Sequence, residues 1–178
     1  MSRNRARPAP VMALLVAVLV SCRERAPVEM TLPAAPSDAT PDSTRDQVLA
    51  VIEQYYADLS ARDWPSVADH FWPGATLTTP WQAPGDTAVR VIPTTIERFI
   101  EQAPLGPGSR AIFEERMDSA RVRGSPNLAQ VWAWYSARFG DPGQVMDWTG
   151  TDAFTLIRHD GRWRITALAY VNDGDVPQ

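Results

Sequence analysis

Apolar residues along the chain fall into three rhythms, and each predicts a different element. From Val11 to Val20 they run without interruption. From Val48 they recur at helical spacing, since Val48, Leu49, Ile52, Tyr55, Tyr56 and Leu59 follow the i, i+3, i+4, i+7 rule of an amphipathic helix that Ser43 or Thr44 can cap. Asp63 can cap a second, short helix with Pro65 in its first turn and Val67 and Phe71 inward, stopped by Trp72-Pro73-Gly74. Ala75 to Thr79 reads as a short strand, and the stretch 80–93, with Gly85 and three prolines, reads as a loop. Thr94-Thr95-Ile96-Glu97 has the form of a capping box opening a third helix through Phe99 and Ile100, which Pro104 closes. Beyond it the rhythm changes to alternation. Ile112 to Val122, Leu128 to Phe139, Gln144 to Arg158 and Arg162 to Val171 are the predicted strands, and Asp160-Gly161 is a type I′ hairpin turn. Helices first and a meander afterwards predict an α+β domain, three N-terminal helices packed on a curved antiparallel sheet.

The uninterrupted run is a different kind of signal. Arg3, Arg5 and Arg7 precede it without a single acid, and at ten residues it is too short to span a bilayer, so residues 1–21 are expected to be an export leader. Leu19-Val20-Ser21-Cys22 resembles the lipobox of bacterial lipoproteins. That resemblance implies cleavage before Cys22, diacylation of its thiol and a lipid-anchored location in the bacterial cell envelope, with the outer membrane or cell surface favoured by Arg23. Residues 22–42 hold four prolines and no aromatic residue, which suits an extended tether. All sixteen aromatic residues lie between Tyr55 and Tyr170, so the folded domain is placed at 43–174.

Composition then narrows the chemistry. All 17 basic residues of the 178-residue chain are arginine, which excludes a Schiff-base lysine, a P-loop lysine and a Ser-Lys dyad. Two histidines and one cysteine exclude disulfide scaffolds, zinc fingers and three-histidine metal sites within one chain, so neither metal nor cofactor is expected. The net charge of −4 becomes −7 once the leader and its three arginines are removed, which argues against nucleic acid as a partner.

Three segments resemble the nuclear transport factor 2-like superfamily, the cone fold of ketosteroid isomerases, scytalone dehydratase and SnoaL-like cyclases. They are Ile52 through Trp64, His70 through Leu77, and Phe154 through Tyr170 with Asp160-Gly161-Arg162-Trp163-Arg164-Ile165. By the isomerase pattern, Tyr55 matches the tyrosine that hydrogen-bonds an oxyanion, while Thr79, before Pro80, occupies the general-base position and cannot take a proton near neutrality. Glu115-Arg116-Met117-Asp118 resembles a strand of limonene epoxide hydrolases, which implies Arg116 and Asp118 as a candidate pair; Tyr170 or a neighbour stands where that family keeps its second aspartate. His70 is a further candidate acid or base, and Ala167 and Ala169 stand where related proteins place histidines. Each candidate also has a plain reading: Tyr55 as a core aromatic, His70 as a packed residue, and Glu114, Arg116 and Asp118 as a solvated face.

Trp132 and Trp134 share one strand face and, with Tyr55, are the expected ligand-binding residues. The leading expectation is a lipid-anchored, non-catalytic domain that binds a small apolar ligand or a protein partner. The alternative is a hydrolase, isomerase or dehydratase using Tyr55, His70 or Asp118. A homodimer through the sheet is expected from the resemblance.

Overall fold

Helical spacing from Val48 onward produces a helix because it gathers one apolar stripe. In a computed structural model describing residues 40–82 and 87–173, helix α1 (Asp42–Ala61) buries Val48, Ile52, Tyr55, Tyr56 and Leu59. The leader, Cys22 and nearly all of the tether lie outside the described residues. Ser43 and Thr44 do not cap α1. Pro41 precedes it without a side-chain cap, and Thr44 is a buried residue of its first turn. At the other end Arg62 adopts the left-handed conformation that stops the helix.

Asp63 caps α2 (Trp64–Asp69), accepting the Ser66 N–H at 3.3 Å and the Ser66 hydroxyl at 2.8 Å, an arrangement worth about 1 kcal/mol. Strand β1 (Phe71–Gln82) is longer than the predicted five residues, and it pairs with β2 (Val89–Thr95), which the prolines had concealed as a loop. β2 is an edge strand, so Pro93 costs no ladder hydrogen bond on its open side. Helix α3 (Ile96–Gln102) is capped by Thr95, whose hydroxyl accepts the Arg98 N–H at 3.3 Å. The cap is Thr95 rather than Thr94, and Glu97, beside the Thr95 hydroxyl, accepts the Gly74 N–H at 2.8 Å, tying α3 to β1. Two strands therefore precede the third helix.

The remaining strands are β3 (Ile112–Gly124), β4 (Leu128–Asp141), β5 (Gln144–His159) and β6 (Arg162–Asn172). Asp160 and Gly161 both take positive φ, as a type I′ turn requires. Sheet order is β2-β1-β6-β5-β4-β3, antiparallel throughout except for β1 beside β6, which run parallel. The expected antiparallel sheet is thus mixed, because the chain enters β1 from the helices rather than from a hairpin with β6. α1 lies against β3, and Ser60 fastens the two: its hydroxyl donates to the Glu115 carbonyl at 2.7 Å and accepts the Glu115 N–H at 2.8 Å. These are the backbone groups that an edge strand would otherwise leave unpaired. Between helices and sheet sit Phe71, Leu77, Phe154, Leu156, Ile165 and their neighbours, fully buried. No described helix is long and apolar enough to cross a membrane.

Candidate functional site

Alternation along β3, β4 and β5 aims every second side chain at α1, and not all of these are apolar. On β5 the inward positions are Trp148, Gly150, Asp152, Phe154 and Leu156, and on β3 they begin Phe113, Glu115, Met117. Two carboxyl side chains are thereby carried into the interior. Register seats Glu115 opposite Ala137 and Asp152 opposite Ala133, on either side of Tyr135 in β4. Gly150 faces Tyr135 across the ladder, and a Cβ there would stand 2.5 Å from the Tyr135 ring and hydroxyl. The glycine makes room for the phenol to lie across the sheet and donate to Asn172 Oδ1 at 2.7 Å.

Glu115, Tyr135, Asp152 and Asn172 line a cavity of about 460 Å³. Its walls are largely aromatic, with Tyr55, Tyr135, Tyr170, Trp81, Trp148 and Phe113 among them, and Leu59, Leu77 and Leu168 add aliphatic surface. Both carboxyls face it. Asp152 is 4% exposed and accepts a hydrogen bond from the Tyr56 hydroxyl at 2.6 Å. Glu115 keeps partial exposure, as a side chain on the wall of an open cavity does, and its carboxyl has no hydrogen-bond or ion-pair partner among the described residues.

Desolvation governs the electrostatics. Burial, reinforced by the charge of Asp152, pushes the Glu115 carboxyl up to about 8, and burial raises Asp152 to about 7 against the opposing Tyr56 hydrogen bond. Near neutrality the cavity therefore holds at least one carboxyl proton. The phenols move the same way: burial and the two carboxylates raise Tyr170 to about 12 and Tyr55, Tyr56 and Tyr135 further still, so all four remain hydrogen-bond donors at any physiological pH. A carboxyl near neutrality beside fixed hydroxyl donors in an aromatic cavity is the equipment of proton transfer.

Of the residues singled out from sequence, the structure brings Tyr55 to this cavity, together with Tyr170, the position compared with a second aspartate. The Tyr55 ring also packs edge-on against His70, Phe71 and Phe154, so it serves the core as well. His70 stands behind that wall, its Nε2 2.7 Å from Asp58 Oδ2. Arg116 and Asp118 lie on the outer face of β3, 3.4 Å apart in an exposed ion pair, with Ser136 donating to Asp118. Trp132 and Trp134 are on the outer face of β4, Trp132 half-exposed and Trp134 beneath the Arg121 guanidinium at 5.5 Å. Thr79 is on β1, its hydroxyl turned to the Pro80 carbonyl.

A larger hollow of about 840 Å³, which Glu115 and Trp148 also border, opens between Glu114, Arg116, Arg138 and Asp147, but Arg138 is already paired there with Glu114 and Asp147 in solvent. Surface ion pairs of this kind contribute little and select nothing. No sequence motif marks Asp152, and Glu115 enters the sequence reading only as the neighbour of the Arg116 and Asp118 pair. The signal was the inward parity itself, an acid at i+2 from Phe113 and another between Gly150 and Phe154. Among the described residues no cluster of histidine, cysteine and carboxylates is arranged to hold a metal ion.

No family model and no curated protein sequence matches the chain. Solved structures do. A candidate dehydratase of the NTF2-like family from Streptomyces avermitilis superposes with a TM-score of 0.60 over 78% of this chain and 100% of that one, at 12% identity. The fold is the nuclear transport factor 2-like cone. An NTF2-like protein of unknown function from Silicibacter pomeroyi gives 0.53 over 74% and 98% at 16% identity. A candidate calcium/calmodulin-dependent protein kinase II association domain from Xanthomonas campestris gives 0.57 over 81% and 95% at 20% identity. At such identities the likeness speaks for the cone and not for an activity, and this superfold carries many.

Proposed function

We propose that the protein is an acid–base catalyst acting on a small, mostly apolar molecule inside the cone, as an isomerase or dehydratase, and that lipidated Cys22 holds it at the cell envelope. The observation that carries the reading is the placement of Asp152: 4% exposed, hydrogen-bonded by Tyr56 and opening onto an aromatic cavity of about 460 Å³. Cavities of roughly 300–1,000 Å³ with a few convergent polar groups suit small organic ligands. In this reading Asp152 takes a hydrogen from carbon and returns it elsewhere on the substrate, or delivers it to a departing hydroxyl. Its value of about 7 lets it do both near neutral pH. Tyr56 holds the carboxylate in place, Tyr55 and Tyr170 are donors for oxygen that gains charge, and Glu115 meets the substrate's polar end.

The sequence alone favours a non-catalytic domain that binds an apolar ligand or a protein partner, because catalytic groups such as a base at Thr79 are missing. Asp152 supplies a base from another strand, which supports the enzymatic reading with a different set of residues from Tyr55, His70 and Asp118. The test is deuterium incorporation from D₂O, followed by mass spectrometry, across small ketones, enones and β-hydroxy carbonyl compounds. Exchange or loss of water that Asp152→Asn slows by ~10²–10⁴-fold supports the reading. Exchange that survives Asp152→Asn, or no exchange with any compound, overturns it.

A further inference from the structure

The two interior carboxyls have an unusual neighbourhood: none of the residues lining the cavity they share carries a positive charge, although Glu115 also borders the outer hollow where Arg138 is paired with Glu114 and Asp147. The described arginines with acidic partners meet them at the surface, Arg98 with Glu101, Arg110 with Asp141, Arg138 with Glu114 and Asp147, and Arg162 and Arg164 with Asp69. Arg116, next to Glu115 in sequence, points to the opposite face of β3. The titratable groups that do face Glu115 are Asp152 from β5, Tyr55 and Tyr56 from α1, Tyr135 from β4 and Tyr170 from β6, and every one of them is acidic or neutral.

A buried carboxylate without a countercharge is costly, and a positive charge bound beside it offsets that cost and favours loss of the carboxyl proton. The aromatic walls point the same way, because ring faces carry negative quadrupole potential that attracts cations and repels anions. The carboxyls and the ring faces therefore favour a cationic group, while the phenol hydroxyls stay available as donors to a substrate oxygen. Asp152 is already engaged by the Tyr56 hydroxyl, whereas the Glu115 carboxyl has no partner among the described residues and is the more accessible of the two.

We propose that the cavity binds an organic ammonium ion, with the cationic nitrogen at the Glu115 carboxylate and the carbon skeleton between the tyrosine and tryptophan rings. This rests on the acid–base reading above and names its substrate class: a small molecule bearing a basic nitrogen, whose reacting carbon lies toward Asp152. A neutral ligand leaves Glu115 protonated. A cation exchanges that proton for itself, so binding below pH 8 releases a proton to solvent.

Calorimetry on the full chain tests this with four probes of similar shape: benzyltrimethylammonium, benzylamine, benzyl alcohol and benzoate, each titrated at pH 6.5 in two buffers of different ionisation enthalpy. The expected result is that both cations bind at least tenfold tighter than benzyl alcohol, that benzoate does not bind, and that cation binding releases close to one proton. Affinity for the permanent cation should rise roughly tenfold between pH 6.5 and 8, following ionisation of Glu115. Glu115→Gln should bring the cations down to the affinity of benzyl alcohol and abolish proton release. The wild-type arms decide the matter even if that variant folds poorly.

Equal affinity for benzyl alcohol and the cations, cation binding without proton release, or no binding by any probe overturns the proposal. Deuterium exchange separates it from the reading beneath it. If neutral compounds bind and exchange in an Asp152-dependent way, only the ammonium assignment fails. If the cations bind as described and no compound exchanges, the site stands and catalysis fails.

Discussion

Replacing Asp152 by Asn removes an ionisable group and little else. The amide is the same size, and its Oδ1 can accept the Tyr56 hydroxyl hydrogen that Asp152 Oδ2 accepts at 2.6 Å. The folded chain raises this carboxyl from 3.8 to about 7, so it holds its proton more tightly than the unfolded chain does. Stability is then greatest below the unfolded value and falls as pH rises toward the folded one, because over that window the native state binds more protons. At 1.36 kcal/mol per pH unit the full penalty is about 4 kcal/mol, of which about 3 kcal/mol develops between pH 5 and 9. Urea unfolding of wild type and Asp152→Asn at pH 5, 7 and 9 measures it. The variant should gain on the wild type by about 1–2 kcal/mol at pH 5 and about 4 kcal/mol at pH 9, with unchanged denaturant slope. A difference that stays constant with pH, or a wild type that grows more stable toward pH 9 relative to the variant, would refute the argument that Asp152 is protonated by desolvation.

Other expectations follow from the same geometry. Tyr56→Phe removes the hydrogen bond that lowers Asp152, so the midpoint of any Asp152-dependent activity should move to higher pH, as a pH–rate profile will show. Gly150→Ala drives a Cβ to 2.5 Å from the Tyr135 ring and from the Val171 carbonyl, an overpacking that should cost about 1–3 kcal/mol in chemical denaturation. Trp148→Ala should weaken binding of a cavity ligand, whereas Trp132→Ala, on the outer face, should leave it unchanged in a fluorescence titration. Cys22→Ala should abolish acylation and membrane partitioning; a variant that is still processed and membrane-bound would contradict the lipid anchor.

Most of the scaffold was legible because it rests on short-range rules. Helical spacing, the Asp63 cap and the Asp160-Gly161 turn depend on a few adjacent residues, and α1, the start of α2 and the β5–β6 hairpin stand where those rules put them. By contrast, α2 ends at Asp69, and Phe71 through Gly74, read as its last turn and stop, begin β1 because Phe71 pairs with Ile165 of β6. β2 was hidden because Pro80 and Pro93 argue against a strand unless the strand is known to lie at an edge, which is a property of the whole sheet. The site was illegible for a related reason. Choosing between the Glu115 and Arg116–Asp118 faces of β3 needs the parity set by Phe113, and the more conspicuous charge pattern lay on the solvent side. Asp152 looked like one acid in a strand, and only its burial behind Tyr56 gives it a chemistry.

Two carboxyls inside the cone titrate near neutral pH and hold at least one proton there, and carboxyl carbon NMR reads this directly. With side-chain ¹³C labels, and with Asp152→Asn and Glu115→Gln to assign the signals, two resonances should titrate with midpoints at about 7 and about 8, apart from the surface acids near 4. If the signals lost in these two variants titrate below pH 5 with the rest, the cavity holds no proton to transfer and the account is wrong.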